Sequence, residues 1–296
     1  MNKKKKVGCF VAAAGVFLLV SLPGCAAKRD LVDLAPGIKR PRIALVLGSG
    51  AARGFAHVGV IRVLEQEKIP IDLIVGTSVG SLVGAIYADK RNSFELEWEA
   101  FKLEKDDIFD FSILRAKRGP VKGDKLENFI LRHVSAKNIE DMKIPFVAVA
   151  ADLNTGAEVL LDTGSVAKAV RASSSIPGVF EPLLYNGRHL IDGGVLGGIV
   201  PGAARKYGAD IVIAVDIGKS VENYETDNVI DITLQAIDIM GSRIDGYKQK
   251  EADVLIQPEV GDVSTMDFSQ KKKCMVAGIA AAQAKIGEIR KLISKW

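Results

Sequence analysis

One stretch, residues 71–88 with the sequence IDLIVGTSVGSLVGAIYA, constrains this chain more than any other. It begins with the short apolar run of a buried strand, and a second apolar run rich in small residues predicts a helix. Ser78 lies between them, flanked by Gly76 and Gly80. In a sharp turn, a side chain at either glycine would collide with the neighbouring strand or helix, so the turn needs glycine at both positions. The stretch predicts a nucleophile elbow that lifts the Ser78 hydroxyl into solvent-accessible space above a sheet edge.

Strands and helices alternate along the rest of the chain. Short apolar runs such as residues 43–47 and 144–151 are separated by segments of helical periodicity such as residues 56–68. This alternation is typical of a mainly parallel sheet with helices on both faces. We therefore predict one α/β domain over residues 42–296, a three-layer sandwich with a mainly parallel central sheet flanked by helices.

A glycine-rich loop follows the first predicted strand. A dinucleotide-binding loop would have its third glycine one residue earlier and an acidic residue closing the second strand, and this chain has neither. Small residues also let backbone N–H groups converge on one point, which is the chemistry of an oxyanion hole, and an arginine adds positive charge. A plain structural turn is the alternative. The loop consists of Gly48, Ser49, Gly50, Ala51, Ala52, Arg53 and Gly54.

Asp192 follows a short apolar run and precedes two glycines, so it is expected in a turn at the edge of the sheet. Aspartates often cap such turns. The functional alternative is that Asp192 accepts the proton of Ser78. Partial burial beside apolar residues would raise the pKa of the Asp192 carboxyl and make it a stronger base.

The three histidines do not fit a conventional catalytic triad. No histidine follows Asp192, so the order Ser, Asp, His is excluded. His57 lies one turn into a predicted helix that packs on the sheet, which favours a structural, hydrogen-bonded histidine. His133 and His189 have no sequence context that indicates catalysis.

Residues 1–24 predict a signal peptide. Lysines at positions 3–6 precede an apolar run over residues 7–22, shorter than the roughly 20 residues that a membrane-spanning helix needs. The following LPGC resembles a bacterial lipobox, with proline as a departure in its second position, and predicts diacylation of Cys25. Residues 25–41 would then be a lipidated tether. Ala26 favours sorting to the outer membrane, so we expect a lipid-anchored envelope protein on the periplasmic side.

Charge and cysteine content limit the possible partners. The four lysines account for the whole net charge of +4, because the remaining chain has equal numbers of basic and acidic residues. This balance argues against nucleic-acid binding. If Cys25 is lipidated and Cys9 is removed with the signal peptide, only Cys274 remains and no intramolecular disulfide can form. No His, Cys or Asp cluster has metal-ligand spacing, so no metal and no other cofactor is expected.

Several motifs together resemble the patatin-like phospholipase family, including bacterial members and the catalytic domain of neuropathy target esterase. They are the glycine loop, GTSVG at residues 76–80 and DGG at residues 192–194, in this order. The blocks RGFAHVGV at residues 53–60 and ASSSIPGVF at residues 172–180 also match the family. The resemblance covers about residues 42–216 and implies a patatin-like fold.

The resemblance implies a serine–aspartate dyad with no catalytic histidine. In it, Ser78 is the nucleophile, Asp192 the base and the glycine loop the oxyanion hole. Two departures are visible: Ser49 stands where many members have glycine, and Gly197 and Gly198 stand where members usually have asparagines. The glycine pair predicts a looser loop after Asp192.

The implied activity is hydrolysis of acyl esters of phospholipids or lysophospholipids through an acyl-enzyme, at a membrane reached through the N-terminal lipid anchor. Two alternatives stay open at this point. One is a non-catalytic lipoprotein that binds acyl chains or scaffolds envelope proteins. The other is an esterase or thioesterase for small soluble acyl donors.

Overall fold

The computed structural model describes residues 40–110, 120–218, 229–261 and 263–296. The predicted signal peptide, Cys25 and nearly all of the predicted tether lie outside these ranges. At the start of the described chain, the Arg40 guanidinium forms two hydrogen bonds of 2.6 and 2.7 Å with the Asp72 carboxylate. This ion pair fixes the entry of the chain next to the second strand.

The described residues form eight strands and nine α-helices. The strands are β1 (Ile43–Leu47), β2 (Leu73–Thr77), β3 (Phe146–Asp152), β4 (Glu158–Leu161), β5 (Leu183–Tyr185), β6 (Arg188–Asp192), β7 (Ile211–Val215) and β8 (Val254–Ile256). The helices are α1 (Phe55–Gln66), α2 (Val79–Lys90), α3 (Ser93–Lys102), α4 (Lys105–Ile108), α5 (Asp124–His133), α6 (Val166–Ser173), α7 (Pro201–Lys206), α8 (Val229–Lys248) and α9 (Lys271–Ile293). Within these ranges, no helix has the length and apolar character needed to cross a bilayer.

All eight strands belong to one mixed sheet. Its order is β5-β6-β3-β2-β1-β7-β8, with β4 also paired to β3. β1, β2, β3, β7 and β8 are mutually parallel. β4, β5 and β6 enter in antiparallel pairings. The predicted three-layer α/β sandwich with a mainly parallel sheet is confirmed.

Both faces of the sheet are buried, as the continuous apolar character of its strands requires. Along β1, Ile43, Leu45 and Leu47 face the larger core, which the helices α1, α2, α5, α6 and α9 complete. The alternate residues Ala44 and Val46 face a smaller core shared with α7. Cys274 is buried in α9, as expected for a small core residue. The sheet therefore holds the carboxyl ends of its central strands at fixed positions.

Some local elements differ from the sequence expectation. The sequence of residues 93–105 predicts one helix, but α3 ends at Lys102, because Leu103 adopts an extended conformation before α4 begins. The strand β5 and the helix α7 were not predicted. β5 has only three residues and gains its stability by pairing with β6, and α7 begins with Pro201, which is tolerated in the first turn of a helix.

Candidate active site

Ser78 occupies a sharp turn between β2 and α2. Its backbone dihedrals are φ 55° and ψ −123°, a region that non-glycine residues rarely adopt. A side chain at Gly76 would lie 2.5 Å from the Gly80 carbonyl oxygen, and one at Gly80 would lie 2.1 Å from the Leu47 carbonyl oxygen. The predicted need for glycine at both positions is therefore confirmed: Gly76 lets α2 approach its own strand, and Gly80 lets α2 approach β1.

Neighbouring serines hold the strained backbone of Ser78 in place. The Ser78 N–H donates to the Ser173 hydroxyl at 2.9 Å, and that hydroxyl donates to the Val149 carbonyl at 2.6 Å. On the other side, the Ser81 hydroxyl donates to the Ser78 carbonyl at 2.6 Å. Sequence reasoning did not assign a role to Ser173, although it lies in the ASSSIPGVF block. Its contact shows that this block supports the elbow.

The register of the sheet brings Asp192 beside Ser78. Thr77 pairs with Val149 on one side of β3, and Asp192 pairs with Ala150 on the other side. Ser78 directly follows Thr77, so it is level with Asp192 across β3. Ser78 and Asp192 line the same chamber, and the Ser78 hydroxyl is near enough to the Asp192 carboxylate to lower its pKa. The structure thus joins two residues that are more than a hundred positions apart in the chain.

Asp192 is buried, and its carboxylate is fixed by short contacts. Its Oδ1 accepts a hydrogen bond of 2.7 Å from the Gly194 N–H, and its own N–H donates to the Ser175 carbonyl at 2.9 Å. Burial raises the pKa of the Asp192 carboxyl to about 7, while the hydrogen bonds from Ser78 and Gly194 oppose that rise. A carboxylate with such a pKa is a far better proton acceptor near neutral pH than an ordinary aspartate.

Ser78 lines a partly open chamber. Only 5% of its surface is exposed. The chamber is lined by Ser78 and Asp192 and, from above, by Leu234, Ile237 and Asp238 of α8. The hydroxyl predicted above the sheet edge therefore lies in this chamber, and α8 forms part of the chamber wall.

The glycine-rich loop borders the same chamber, and most of its N–H groups are already used. The donors Gly48, Ser49, Ala52 and Arg53 bond the carbonyls of Val215, Gly198, Thr265 and Gly50, respectively, each at 3.0 Å. Gly54 ends the short 3₁₀ turn that the loop forms. Among the hydrogen bonds of the described residues, none uses the N–H of Gly50 or Ala51, and both residues line the chamber with Ser78. Of the seven residues in the predicted oxyanion loop, Gly50 and Ala51 therefore remain as candidate N–H donors to an oxyanion.

A family model described as patatin-like phospholipase matches residues 45–202, which is more than half of the chain. The chain belongs to the patatin-like phospholipase family. The matched region contains the elbow, the glycine loop and the Asp192 turn, and it ends before α8.

Similar proteins of this family are mostly longer. Lysophospholipase NTE1 of Meyerozyma guilliermondii is 29% identical over 82% of this chain and 19% of its own length. Patatin-like phospholipase domain-containing protein 6 of Mus musculus is 35% identical over 65% of this chain and 15% of its own length. An uncharacterised NTE family protein of Mycobacterium bovis is 37% identical over 62% of this chain and 51% of its own length. The chain therefore spans a fifth or less of the first two relatives.

Among solved structures, VipD from Legionella pneumophila is similar to this chain. The two structures align with a TM-score of 0.49 and 13% sequence identity, over 84% of this chain and 67% of that one.

Arg53 lies in the glycine loop of this patatin-like domain with its guanidinium buried. Only 1% of its surface is exposed, and its Nη2 lies 3.5 Å from Asp238 Oδ1. Its Nε and Nη1 have no hydrogen-bond partner among the described residues. The positive charge predicted for the loop is therefore present at the chamber, and the acidic partner Asp238 comes from α8.

The histidines stand apart from Ser78 and Asp192. His57 is fully buried, its Nε2 lies 2.8 Å from the Gly48 carbonyl oxygen, and burial lowers its pKa to about 4. The predicted hydrogen-bonded, structural histidine is confirmed by this contact, which fixes the start of the glycine loop. His133 Nδ1 lies 2.9 Å from Glu99, and His189 is paired within the β5–β6 hairpin. None of the three lines the chamber of Ser78.

An apolar cavity extends from Ser78 into the domain. Its volume is about 70 Å³, so it is a narrow cavity compared with typical small-molecule binding sites. One wall is α2, through Val79, Leu82 and Ile86, and the opposite wall includes Leu126 and Phe129 of α5. Ser78 therefore borders an apolar cavity.

The loop after Asp192 is held by a carboxylate that sequence reasoning missed. The N–H groups of Gly198 and Ile199 donate to Asp245 Oδ2 and Oδ1 at 2.9 and 3.2 Å. The prediction of a looser loop is wrong, because Asp245 of α8 supplies contacts that the glycines cannot. Burial raises the pKa of Asp245 to about 6, while the Ile199 N–H opposes the rise. No sequence signal marks Asp245, since it lies outside the family motifs.

Proposed function

We propose that this protein is a serine hydrolase that cleaves acyl esters of phospholipids or lysophospholipids with a Ser78–Asp192 dyad. The observation that carries the proposal is that sheet register and a shared chamber bring the Ser78 hydroxyl beside the buried Asp192 carboxylate, whose pKa burial raises to about 7. A nucleophile in contact with a base of matched pKa is the arrangement that covalent catalysis requires. Membership of the patatin-like phospholipase family supports the same reaction class.

In the acylation step, the Ser78 oxygen attacks the ester carbonyl carbon and its proton passes to the Asp192 carboxylate. The negative charge on the carbonyl oxygen is stabilised by the N–H groups of Gly50 and Ala51, which have no other acceptor among the described residues. Ser78 is also the N-cap of α2, so the positive end of the helix dipole also stabilises the negative charge on the carbonyl oxygen. Collapse of the intermediate breaks the ester bond, and the leaving alkoxide takes the proton from Asp192.

In the deacylation step, the same aspartate acts as base a second time. Asp192 takes a proton from a water molecule, and the resulting hydroxide attacks the acyl carbonyl carbon. The fatty acid leaves as the Ser78 oxygen recovers its proton from Asp192. The overall reaction consumes one ester and one water and regenerates the starting enzyme. The sequence of steps needs no histidine, in agreement with the position of His57 away from the chamber.

A lipid substrate is supported by the cavity next to Ser78. An acyl chain in the apolar cavity would place its ester carbonyl at the nucleophile while its head group lies on the side of the glycine loop. A small soluble ester would contact fewer of the apolar residues that line the cavity, so it would gain less binding energy from burial. We also propose the N-terminal lipid anchor on Cys25 and an outer-membrane location on the periplasmic side, which would keep the enzyme near such substrates.

The proposal is tested by comparing a micellar palmitoyl lysophospholipid with p-nitrophenyl butyrate as substrates. We expect release of palmitate with a kcat/KM at least about tenfold above that for the short ester, because a long chain buries more apolar surface in the cavity. Fatty acid release measured by mass spectrometry gives the rate. Hydrolysis of the short ester alone would instead indicate an esterase for soluble acyl donors.

Filling the cavity should change chain-length preference. Ile86 lies two turns beyond Ser78 on α2, about 12 Å along the helix axis, and it lines the cavity. We expect Ile86→Phe to lower kcat/KM for the palmitoyl ester by about tenfold or more and to leave the butyryl ester within about twofold. Ile86→Leu, which conserves volume, is the matched control. Equal losses for both esters in Ile86→Phe would contradict this assignment of the acyl cavity.

A further inference from the structure

The loop between Asp192 and α7 carries two glycines whose lack of side chains makes room for one carboxylate. A Cβ at Gly197 would lie 2.9 Å from Asp245 Oδ1, and a Cβ at Gly198 would lie 2.8 Å from Asp245 Oδ2. Gly197 also has a φ of +113°, which side chains disfavour. A side chain at either glycine would therefore collide with the Asp245 carboxylate in its present position.

The carboxylate of Asp245 connects the two loops that surround the dyad. It accepts the N–H groups of Gly198 and Ile199. The carbonyl of the same Gly198 accepts the Ser49 N–H at 3.0 Å. Ser49 directly precedes Gly50 and Ala51, the two candidate oxyanion donors. A continuous series of hydrogen bonds thus runs from α8 through the Asp192 loop to the oxyanion loop.

We propose that Asp245 is a positioning residue for the hydrolase reaction, which fixes the Asp192 loop and the glycine loop relative to each other. This inference rests on the proposed function. Asp245 does not line the chamber of Ser78 and Asp192, so it acts through the peptide groups of Gly198 and Ile199. Hydrogen bonds to an ionised acceptor are stronger than neutral ones, and only 7% of the Asp245 surface is exposed to water.

The proposal gives α8 a function within the patatin-like domain. The family match ends at residue 202, and α8 begins at Val229. The segment outside the matched region would therefore complete the geometry of the site.

The test compares Asp245→Asn with Asp231→Asn, which makes the same change on the first turn of the same helix. Asparagine has one acceptor oxygen and places an N–H₂ group where the second carboxylate oxygen was, so one of the two loop N–H groups loses its acceptor. We expect kcat for the palmitoyl lysophospholipid to fall by about tenfold to a hundredfold while KM changes by less than about twofold. Asp231→Asn should stay within about twofold of the wild type in both parameters.

Chemical rescue separates positioning from packing. Asp245 lines a polar cavity of about 300 Å³ together with Ser49 and Gly198, so a small carboxylate can reach the place of its side chain. We expect added formate to restore activity of Asp245→Ala in a saturable way and to leave the wild type unchanged. Circular dichroism and thermal unfolding confirm that the variants are folded.

The outcomes distinguish the two proposals. An active wild type with Asp245→Asn at wild-type kcat would overturn the positioning role and leave the proposed function intact. A folded Asp245→Ala variant that loses activity without any response to formate would assign Asp245 to packing alone. A wild type that hydrolyses neither ester would overturn the proposed function and, with it, this inference.

Discussion

Replacing Ser78 by alanine is expected to lower kcat for ester hydrolysis by on the order of 10⁴-fold or more, to the background of the assay. In the proposed mechanism this hydroxyl forms the acyl-enzyme, and it lies beside the carboxylate that would accept its proton. The rate of fatty acid release from the palmitoyl lysophospholipid measures this effect.

The matched control for Ser78→Ala is Ser81→Ala. Ser81 lies one turn further along α2, is fully buried, and donates to the Ser78 carbonyl at 2.6 Å. Loss of this single hydrogen bond is expected to cost about 1 kcal/mol of stability and to lower activity far less than loss of the nucleophile. A Ser78→Ala variant that keeps more than about a tenth of the wild-type rate would contradict the assignment.

The Asp192→Asn variant is expected to lose activity and gain stability. Asparagine can accept the Gly194 N–H and donate to the Ser78 oxygen, so the local geometry can persist, but it cannot take a proton from the hydroxyl. We expect kcat to fall by about 10³-fold or more. Measured rates for Asp192→Asn near the wild type would show that another group is the base.

The gain in stability follows from the raised pKa of Asp192. The folded state holds this carboxyl with a pKa of about 7, compared with a pKa of 3.8 for an aspartate exposed to water. A raised carboxyl pKa means that the wild type loses stability as the pH rises from about 4 through 7. At pH 8 we expect Asp192→Asn to be about 1 to 3 kcal/mol more stable than the wild type, and at pH 4 the advantage should disappear.

The same pKa predicts the pH dependence of the wild-type activity. Asp192 must be ionised to accept a proton, so kcat/KM should fall as the pH decreases below about 7. Protonation of Asp245, whose pKa is about 6, adds a further loss at lower pH. A rate that is flat between pH 5 and 8 would show that neither carboxylate titrates in this range. The profile is measured with the soluble butyryl ester to avoid changes in micelle charge.

The central part of the fold could be predicted from the sequence because its signals are local. The buried strand, the GTSVG turn and the following helix are contiguous in the chain, and the steric need for Gly76 and Gly80 follows from the sharp turn itself. The order of motifs also indicated that Ser78 and Asp192 belong together. Their contact depends on the register of β2, β3 and β6, which is set by pairing across the sheet.

The parts that sequence reasoning missed depend on tertiary contacts with α8. Leu234 and Ile237 form part of the wall of the Ser78 chamber, and Asp245 binds the N–H groups of Gly198 and Ile199. Neither effect has a local pattern, because a helix that covers a site has the same periodicity as one that packs elsewhere. Likewise, the candidate donors Gly50 and Ala51 could be identified only after the partners of the other loop residues were known.

The most direct test of the account is to identify the residue that becomes covalently modified. Wild-type protein is treated with a fluorophosphonate carrying an alkyl chain, digested and mapped by mass spectrometry. We predict a single adduct on Ser78. It should form much more slowly in the Asp192→Asn variant, and at the wild-type rate in a folded variant of the partly exposed His133. An adduct on any other residue, or no adduct on Ser78 in the active wild type, would contradict it.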